Sequence, residues 1–164
     1  MTTQLAIQRD VAQYLTFVVG GAQLGIDLLD ARVIIQHSSV TVVPEMPAAL
    51  RGVINLRGRI VPLVELGPLL GCSAQPPTSR ACVVVVEVTL LPARRVLVGL
   101  VVDAVRSVLE LSFSEIQAVP MFGTQVQPNL LHGIGASATG FVELLDVSRV
   151  LQGLDESALT RVVP

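Results

Sequence analysis

The amino-acid sequence predicts an all-β protein in which two similar small barrels lie side by side. Short apolar segments rich in valine, isoleucine and leucine recur about every ten residues, with turn residues between them. No segment shows the pattern of a long amphipathic helix, and the connections are too short for the crossover helices of a parallel sheet. The second half of the chain also repeats a pattern found in the first half, which indicates a duplicated unit.

The composition limits the classes of function. The chain of 164 residues is 51% hydrophobic and 15% charged, with a formal net charge of −2, and all 11 of its Lys+Arg residues are arginine. Since nucleic-acid binding requires a basic face, this balance argues against a nucleic-acid partner. No apolar stretch reaches the roughly 20 residues of a membrane-spanning helix, and the N-terminus lacks the pattern of a signal peptide. We therefore expect a cytoplasmic protein without direct membrane insertion.

The first predicted elements are two strands joined by a tight turn. Residues 14–19 and 23–28 are β-branched or aliphatic segments on either side of Gly20-Gly21, which is typical of a hairpin. Residues 28–35 then place apolar side chains at helical spacing, so that either a short helix or a bent strand is predicted there.

A second hairpin is predicted at the centre of the first half. Residues 50–64 form two strands that reverse at Arg57-Gly58, where glycine accepts a positive φ. We expect the Arg57 side chain to project into solvent. The apolar side chains expected to be buried by these strands are Val53, Leu56, Ile60 and Leu63. Residues 66–70 form one helical turn, which ends at Gly71.

The second half begins after the linker-like residues 73–79. Residues 81–91 and 96–102 are predicted strands that a turn at 92–94 connects. Short apolar segments continue beyond them without a long helical pattern. The second half is therefore predicted to be β-structure, as the first half is.

The two halves resemble each other in detail. Residues 50–71 can be laid over residues 131–153 for most of their length without a gap. The matched pairs include Gly52 with Gly133, Ile60 with Phe141, Leu63 with Leu144, and Glu65 with Asp146. Upstream, Gly25-Ile26 resembles Gly99-Leu100. These matches together suggest two copies of one β unit, which would form a groove where they meet.

The duplication predicts the organisation of the chain. We expect a single domain over residues 14–153, with 1–13 and 154–164 as tails. Its first barrel covers about 14–71 and its second about 80–153, and strands are allowed to cross over between them. Each barrel is too small to bury much surface alone, so the two are expected to share an aliphatic interface.

The sequence contains no recognisable catalytic or metal-binding constellation. Metal sites need clustered cysteine, histidine or carboxylate side chains, and neither Cys72 nor Cys82 has a histidine near it in the sequence. His37 is interpreted as a solvated loop residue and His132 as a residue of the barrel rim. A P-loop requires a lysine, and the chain has none. We therefore expect no enzyme activity, no cofactor and no metal.

The turn at residues 55–59, NLRGR, is the candidate recognition site. Guanidinium groups suit protein interfaces, although a polar hairpin tip that keeps a sheet edge soluble is the alternative interpretation. The surrounding residues 52–66, GVINLRGRIVPLVEL, resemble the GVINLRGxIVPVIDL signature of the CheW family. Other similar segments follow in the family's order: YLTFVVG at 14–20, LGID at 24–27, VVP at 42–44, GLVVD at 99–103 and LHGI at 131–134.

This resemblance implies a fold and a function. The implied fold is two five-stranded SH3-like barrels with short helices. The implied function is that of a non-enzymatic adaptor, which couples the cytoplasmic tips of methyl-accepting chemoreceptors to the regulatory domain of a CheA-type histidine kinase. Its location would be at membrane-associated receptor arrays. The alternatives are a CheW-fold scaffold in a twitching or surface-sensing pathway, and a receptor-only array component that does not bind the kinase.

The resemblance also implies binding residues. The receptor-binding residues implied are Arg57, Asn55, Gly58, Ala31 and Val33. The family usually has a glutamate at the position of Val33, so this chain lacks that ion-pair partner for Arg57. Because interfaces place aliphatic side chains at their centre, we expect the kinase to bind aliphatic surface loops. The residues expected there are Leu109, Leu111, Val40 and Val42.

Overall fold

The computed structural model describes residues 10–36, 50–71, 80–90 and 94–152. Within these ranges the chain forms strands β1 (Val11–Val19), β2 (Ala22–Asp27), β3 (Ala31–Gln36), β4 (Leu50–Leu56), β5 (Arg59–Glu65), β6 (Cys82–Leu90), β7 (Arg94–Val102), β8 (Ala104–Ser112), β9 (Leu131–Ser137) and β10 (Gly140–Leu145). The helices are α1 (Leu66–Leu70) and α2 (Val147–Gln152), and 3-10 turns lie at Leu28–Asp30, Phe113–Glu115 and Pro128–Leu130. The predicted all-β class is confirmed.

The strands form two five-stranded sheets of the same design. The first sheet has the order β8-β1-β2-β10-β9, and the second has the order β3-β6-β7-β5-β4. Exchanging β1–β5 with β6–β10 converts one order into the other. Each sheet has one parallel pair, β2 with β10 and β5 with β7, and its other pairs are antiparallel. The repeated sequence unit therefore corresponds to five strands.

Sheet membership does not follow the two halves of the chain, so strands do cross over between the regions 14–71 and 80–153 that were expected to form the two barrels. The first sheet takes β1 and β2 from the first half and β8, β9 and β10 from the second. The second sheet takes β3, β4 and β5 together with β6 and β7. The physical reason is that an isolated two-stranded hairpin is only marginally stable. The β1–β2 hairpin pairs with β8 and β10, and the β4–β5 hairpin pairs with β7. Both hairpins of the first half thus take their neighbouring strands from the second half.

A short helix or a bent strand was expected at residues 28–35, and the structure has a 3-10 turn followed by a strand there. The chain makes a 3-10 turn at Leu28–Asp30, where Asp27 Oδ1 accepts a hydrogen bond from the Leu29 N–H at 3.0 Å. It then continues as β3, which pairs with β6. The 3-10 turn is the point at which the chain leaves the first sheet for the second.

The core explains the high hydrophobic content of the chain. Buried side chains of both sheets meet in one shared cluster, and each sheet also holds a smaller cluster of its own. Strand β6 contributes to two of them, because Val84 and Val86 enter the shared core while Val83 and Val85 enter the cluster of the second sheet. Strands buried on both faces are near-continuously apolar, which accounts for four consecutive valines.

Candidate functional site

The hairpin tip between β4 and β5 has an unusual backbone. Leu56 pairs with Arg59, which leaves Arg57 and Gly58 as a two-residue turn with φ of 52° and 82°. Two positive φ values are the requirement of a type I′ turn, whose first position favours asparagine, aspartate or glycine. Arg57 is the one non-glycine residue with a positive φ in the described part of the chain. Such a conformation costs a side-chain-bearing residue about 1–2 kcal/mol.

Two further features define this tip. Asn55 Oδ1 accepts a hydrogen bond from the Gly58 N–H at 2.9 Å, so the asparagine side chain stabilises the turn. Arg57 and Arg59 are both exposed, and no ion pair found among the described residues involves Arg57. The tip therefore presents a guanidinium to solvent from a fixed backbone.

The expected burial of Ile60 is wrong, because its side chain is 44% exposed. Leu63 is fully buried as expected, whereas Val53 and Leu56 are partly buried. Strand β7 pairs with β5 only from Leu63 onward, so the hairpin extends beyond its neighbour on that side. This extension leaves Ile60 and the turn in solvent.

The other two residues implied for the receptor lie on β3, at an edge of the second sheet. Ala31 and Val33 are both partly buried, and a register shift separates them. Val33 packs against the cluster of the second sheet, as do Ile54 and Leu56 of β4, whereas Ala31 packs against the shared core. The structure thus brings Val33 and the hairpin to one cluster and places Ala31 apart from them.

Leu109 and Leu111, two of the four residues expected to bind the kinase, lie on a strand and not in surface loops. That strand is β8, where they pair with Tyr14 and Ala12 of β1. Leu109 is partly buried and Leu111 is 3% exposed. Leu111 belongs to the core because β9 has a glycine opposite it: a Cβ on Gly135 would lie 2.5 Å from Leu111 Cδ1. Val40 and Val42, also expected to bind the kinase, lie outside the described residues.

A groove lies between the sheets, as expected from the duplication. A depression of about 360 Å³ lies where β8 of the first sheet approaches β3 and β6 of the second. Its lining residues are Gln36, Arg80, Cys82, Ala104, Val105 and Arg106. Two arginines lie beside apolar side chains in this groove, so its lining is mixed.

The sequence did not predict three exposed apolar side chains, one on the first sheet and two in the segment before β9. Met121 and Phe122 are 82% and 85% exposed in the segment before β9, and Phe141 at the start of β10 is 67% exposed. Phe141 also lines a depression of about 240 Å³. The chain has four phenylalanines, of which Phe17 is fully buried, and Phe113 is 54% exposed. The available signal was Met121-Phe122 between a proline and a glycine, in a chain that is 3% aromatic.

Several ionisable groups of the described residues have structural roles. Asp27 and Asp146 accept hydrogen bonds from backbone N–H groups at the starts of a 3-10 turn and of α2. Burial, together with these two carboxylates, raises the pKa of Asp30, and Arg32 opposes that shift. His132 is exposed on β9, where its Nε2 is 3.1 Å from the Tyr14 hydroxyl.

No group of three or more histidine, cysteine, aspartate or glutamate residues within the four described ranges could hold a metal ion. The helices in those ranges also lack the length and apolar character needed to cross a membrane.

Comparison with known proteins identifies relatives over nearly the whole chain. A family model, the CheW-like domain, matches residues 13–155. The chemotaxis protein CheW of Klebsiella aerogenes is 32% identical over 147 residues, which cover 90% of this chain and 85% of that protein. The probable chemotaxis protein CheW of Rhizobium etli is 29% identical over 146 residues, which cover 89% and 91% of the two chains.

A solved structure has the same fold. The crystal structure of the scaffolding protein TtCheW from Thermoanaerobacter tengcongensis matches with a TM-score of 0.74 at 24% identity, covering 85% of this chain and 87% of that chain. This likeness concerns the fold alone. The family match goes further, because residues 13–155 include the hairpin tip and both copies of the repeat. The chain therefore belongs to the CheW-like family of chemotaxis coupling proteins.

Proposed function

We propose that this protein is a non-enzymatic adaptor that couples methyl-accepting chemoreceptors to a CheA-type histidine kinase in a bacterial chemosensory array. An adaptor must engage two partners at once. The observation that carries the proposal is that the two sheets present different exposed surfaces, an arginine-bearing tip on the second and an apolar patch on the first. Its location in the cytoplasm at membrane-associated arrays is part of the same proposal.

The receptor contact is proposed at the hairpin tip. Arg57 is held in a strained conformation that asparagine or glycine would adopt more easily. Strained backbone of this kind is concentrated at functional sites, which supports a binding role for the tip. Asn55 and Gly58 fix the turn through their hydrogen bond. Arg57 is proposed to pair with a carboxylate on the receptor, beside the apolar side chain of Val33.

The kinase contact is proposed at the exposed side chains of Met121, Phe122 and Phe141, which we name the apolar patch. Interfaces combine an apolar centre with a polar rim, and a few aromatic residues carry most of the binding energy. Leu109, which is partly buried on β8, remains a proposed contributor. Leu111 is proposed to act only as support beneath the surface, because its side chain is in the core.

The non-enzymatic character is supported by what the titratable side chains do. Glu143 accepts backbone hydrogen bonds, and Asp146 caps α2. Glu87 forms ion pairs with Arg32 and Arg95. These roles stabilise the fold, and they leave the adaptor function as the one that the surfaces support.

Binding measurements with purified partners test this proposal. The full chain is titrated with a receptor-tip fragment and, separately, with the kinase regulatory domain. Arg57→Ala is expected to weaken receptor binding alone, and Phe122→Ala is expected to weaken kinase binding alone. Binding of the receptor without the kinase domain would instead support a receptor-only array component. Failure to bind either partner would refute the adaptor function.

A further inference from the structure

We infer that Glu143 is a positioning residue: its carboxylate holds the segment before β9 so that the apolar patch keeps the shape that binds the kinase. This inference rests on the proposed kinase contact. Glu143 lies on β10 and is 8% exposed, and it is the one charged side chain that the described part of the chain buries. A buried carboxylate is stable only when hydrogen bonds satisfy it.

The partners of the carboxylate are two successive backbone groups. Glu143 Oε2 accepts a hydrogen bond from the Gln125 N–H at 3.1 Å, and Oε1 accepts one from the Val126 N–H at 3.0 Å. Val126 is 1% exposed and belongs to the shared core. Both carboxylate oxygens are thus used to fix one end of the segment against the barrel.

The other end of the segment is fixed by a backbone bridge. The Gln117 N–H donates to the Ile134 carbonyl at 2.8 Å, and the Ile134 N–H donates to the Gln117 carbonyl at 3.0 Å. Between these two attachments the chain carries Met121 and Phe122, the most exposed part of the apolar patch. Residues 117–126 therefore form a loop that hydrogen bonds attach to the first sheet at both ends and that is exposed in the middle.

Glu143 also connects this loop to the third member of the patch. Phe141 precedes Glu143 by two residues on β10, and side chains two apart lie on the same face of a strand. Both residues line the depression of about 240 Å³, together with Pro120, Gly123 and Thr124 of the loop. The carboxylate therefore sets the position of Met121 and Phe122 relative to Phe141.

The two hydrogen bonds from the Gln125 and Val126 N–H groups require a carboxylate at position 143. A carboxylate has two acceptor oxygens, whereas a glutamine amide of the same size has one oxygen and one NH₂ donor. In Glu143→Gln, the donor would face the N–H of Gln125 or Val126, so one of the two hydrogen bonds is lost. The substitution changes the attachment of the loop with almost no change in volume.

The test combines binding with hydrogen exchange on the full chain. We expect Glu143→Gln to weaken binding of the kinase regulatory domain on the order of tenfold and to leave receptor-tip binding unchanged. We also expect the amides of Gln125 and Val126 to exchange faster. Glu110→Gln, which changes an exposed carboxylate on β8, is the matched control and is expected to change neither affinity.

A double variant separates positioning from a general loss of stability. If Glu143 acts through the patch, Glu143→Gln should weaken kinase binding no further once Phe122→Ala is present. Equal losses for receptor and kinase binding, additive losses in the double variant, or unchanged kinase binding in Glu143→Gln would each overturn the inference. If Phe122→Ala alone leaves kinase binding intact, the proposed contact fails instead. Should Glu143→Gln not fold, the wild-type protein must still protect the Gln125 and Val126 amides more than those of Met121 and Phe122.

Discussion

Gly99 lies directly against the side chain of Leu63. A Cβ on Gly99 would come within 2.6 Å of Leu63 Cδ2 and 2.7 Å of Val83 Cγ1. The two residues are partners in the parallel pair of the second sheet, and Gly25 and Leu144 are partners in the parallel pair of the first. A Cβ on Gly25 would lie 3.1 Å from Leu144 Cδ2. The repeated glycine thus makes room for the repeated leucine in both sheets.

Gly99→Ala is expected to lower stability more than Gly25→Ala. Extra methyl groups in a packed core cost about 1–3 kcal/mol, and the contact at Gly99 is the closer of the two. For a domain of this size, each kcal/mol lowers the melting temperature by about 2–4 °C. Thermal melts of the two variants check this order. An equal or larger loss in Gly25→Ala would contradict it.

Arg57→Ala is expected to weaken receptor binding without a change in folding. The side chain is exposed, and alanine has the same difficulty with a positive φ, so stability should stay within about 0.5 kcal/mol. Truncation of an interface arginine costs about 2 kcal/mol, which is over tenfold in affinity. The measurement is a titration with receptor fragments at two salt concentrations, since screening should weaken wild-type binding.

The control for this variant is Arg95→Ala. It removes one positive charge from a side chain that is 73% exposed on the same sheet, and it should leave the affinity unchanged. Loss of affinity in both variants would mean that net charge, rather than the hairpin tip, attracts the receptor.

Arg57→Asn is expected to raise stability and to lower receptor affinity together. Asparagine followed by Gly58 is the preferred pair for a type I′ turn, so the strain at a φ of 52° is relieved, with a gain of about 0.5–1 kcal/mol. Urea unfolding gives the stability, and the receptor titration gives the affinity. A variant that is no more stable than the wild type would show that Arg57 is not strained.

Asp30→Asn is expected to be more stable than the wild type at neutral pH. Burial, with Asp27 and Asp146 nearby, raises the pKa of Asp30 above its ordinary value of 3.8, so folding favours the neutral carboxyl. The wild type therefore loses stability as the pH rises from about that ordinary value through the raised pKa. Below the ordinary value of 3.8, the Asp30 carboxyl is neutral in both the folded and the unfolded wild type. The wild type and the variant should therefore be equally stable there. Unfolding curves at pH 3 to 7 measure the difference, and a constant difference over that range would contradict the assignment.

The local elements could be predicted from the sequence because their causes are local. The turn at Arg57-Gly58 depends on adjacent residues, and the helix at Leu66–Leu70 ends where Gly71 adopts a φ of 79°. The positions of glycine and of β-branched residues contain this information. The hairpin tip of the candidate site was identified for the same reason.

The expectations that were wrong concern residues whose neighbours in space are far away in the sequence. Leu111 is buried because Gly135 leaves space for it, and Ile60 is exposed because β7 pairs with β5 only from Leu63 onward. Neither neighbour is close in the sequence. The apolar patch was missed because three exposed apolar side chains resemble core residues until their surroundings are known.

The exchange of strands between the sheets has a consequence for the order in which the protein can fold during synthesis. Strands β1 and β2 are synthesised before the other described strands, yet their neighbours β8 and β10 are among the last of these to be made. Closing such long loops is slow, and unpaired strand edges are exposed until it happens. The first sheet is therefore completed only after translation has passed Leu145, and the edges of β1 and β2 stay unpaired by their later neighbours until then.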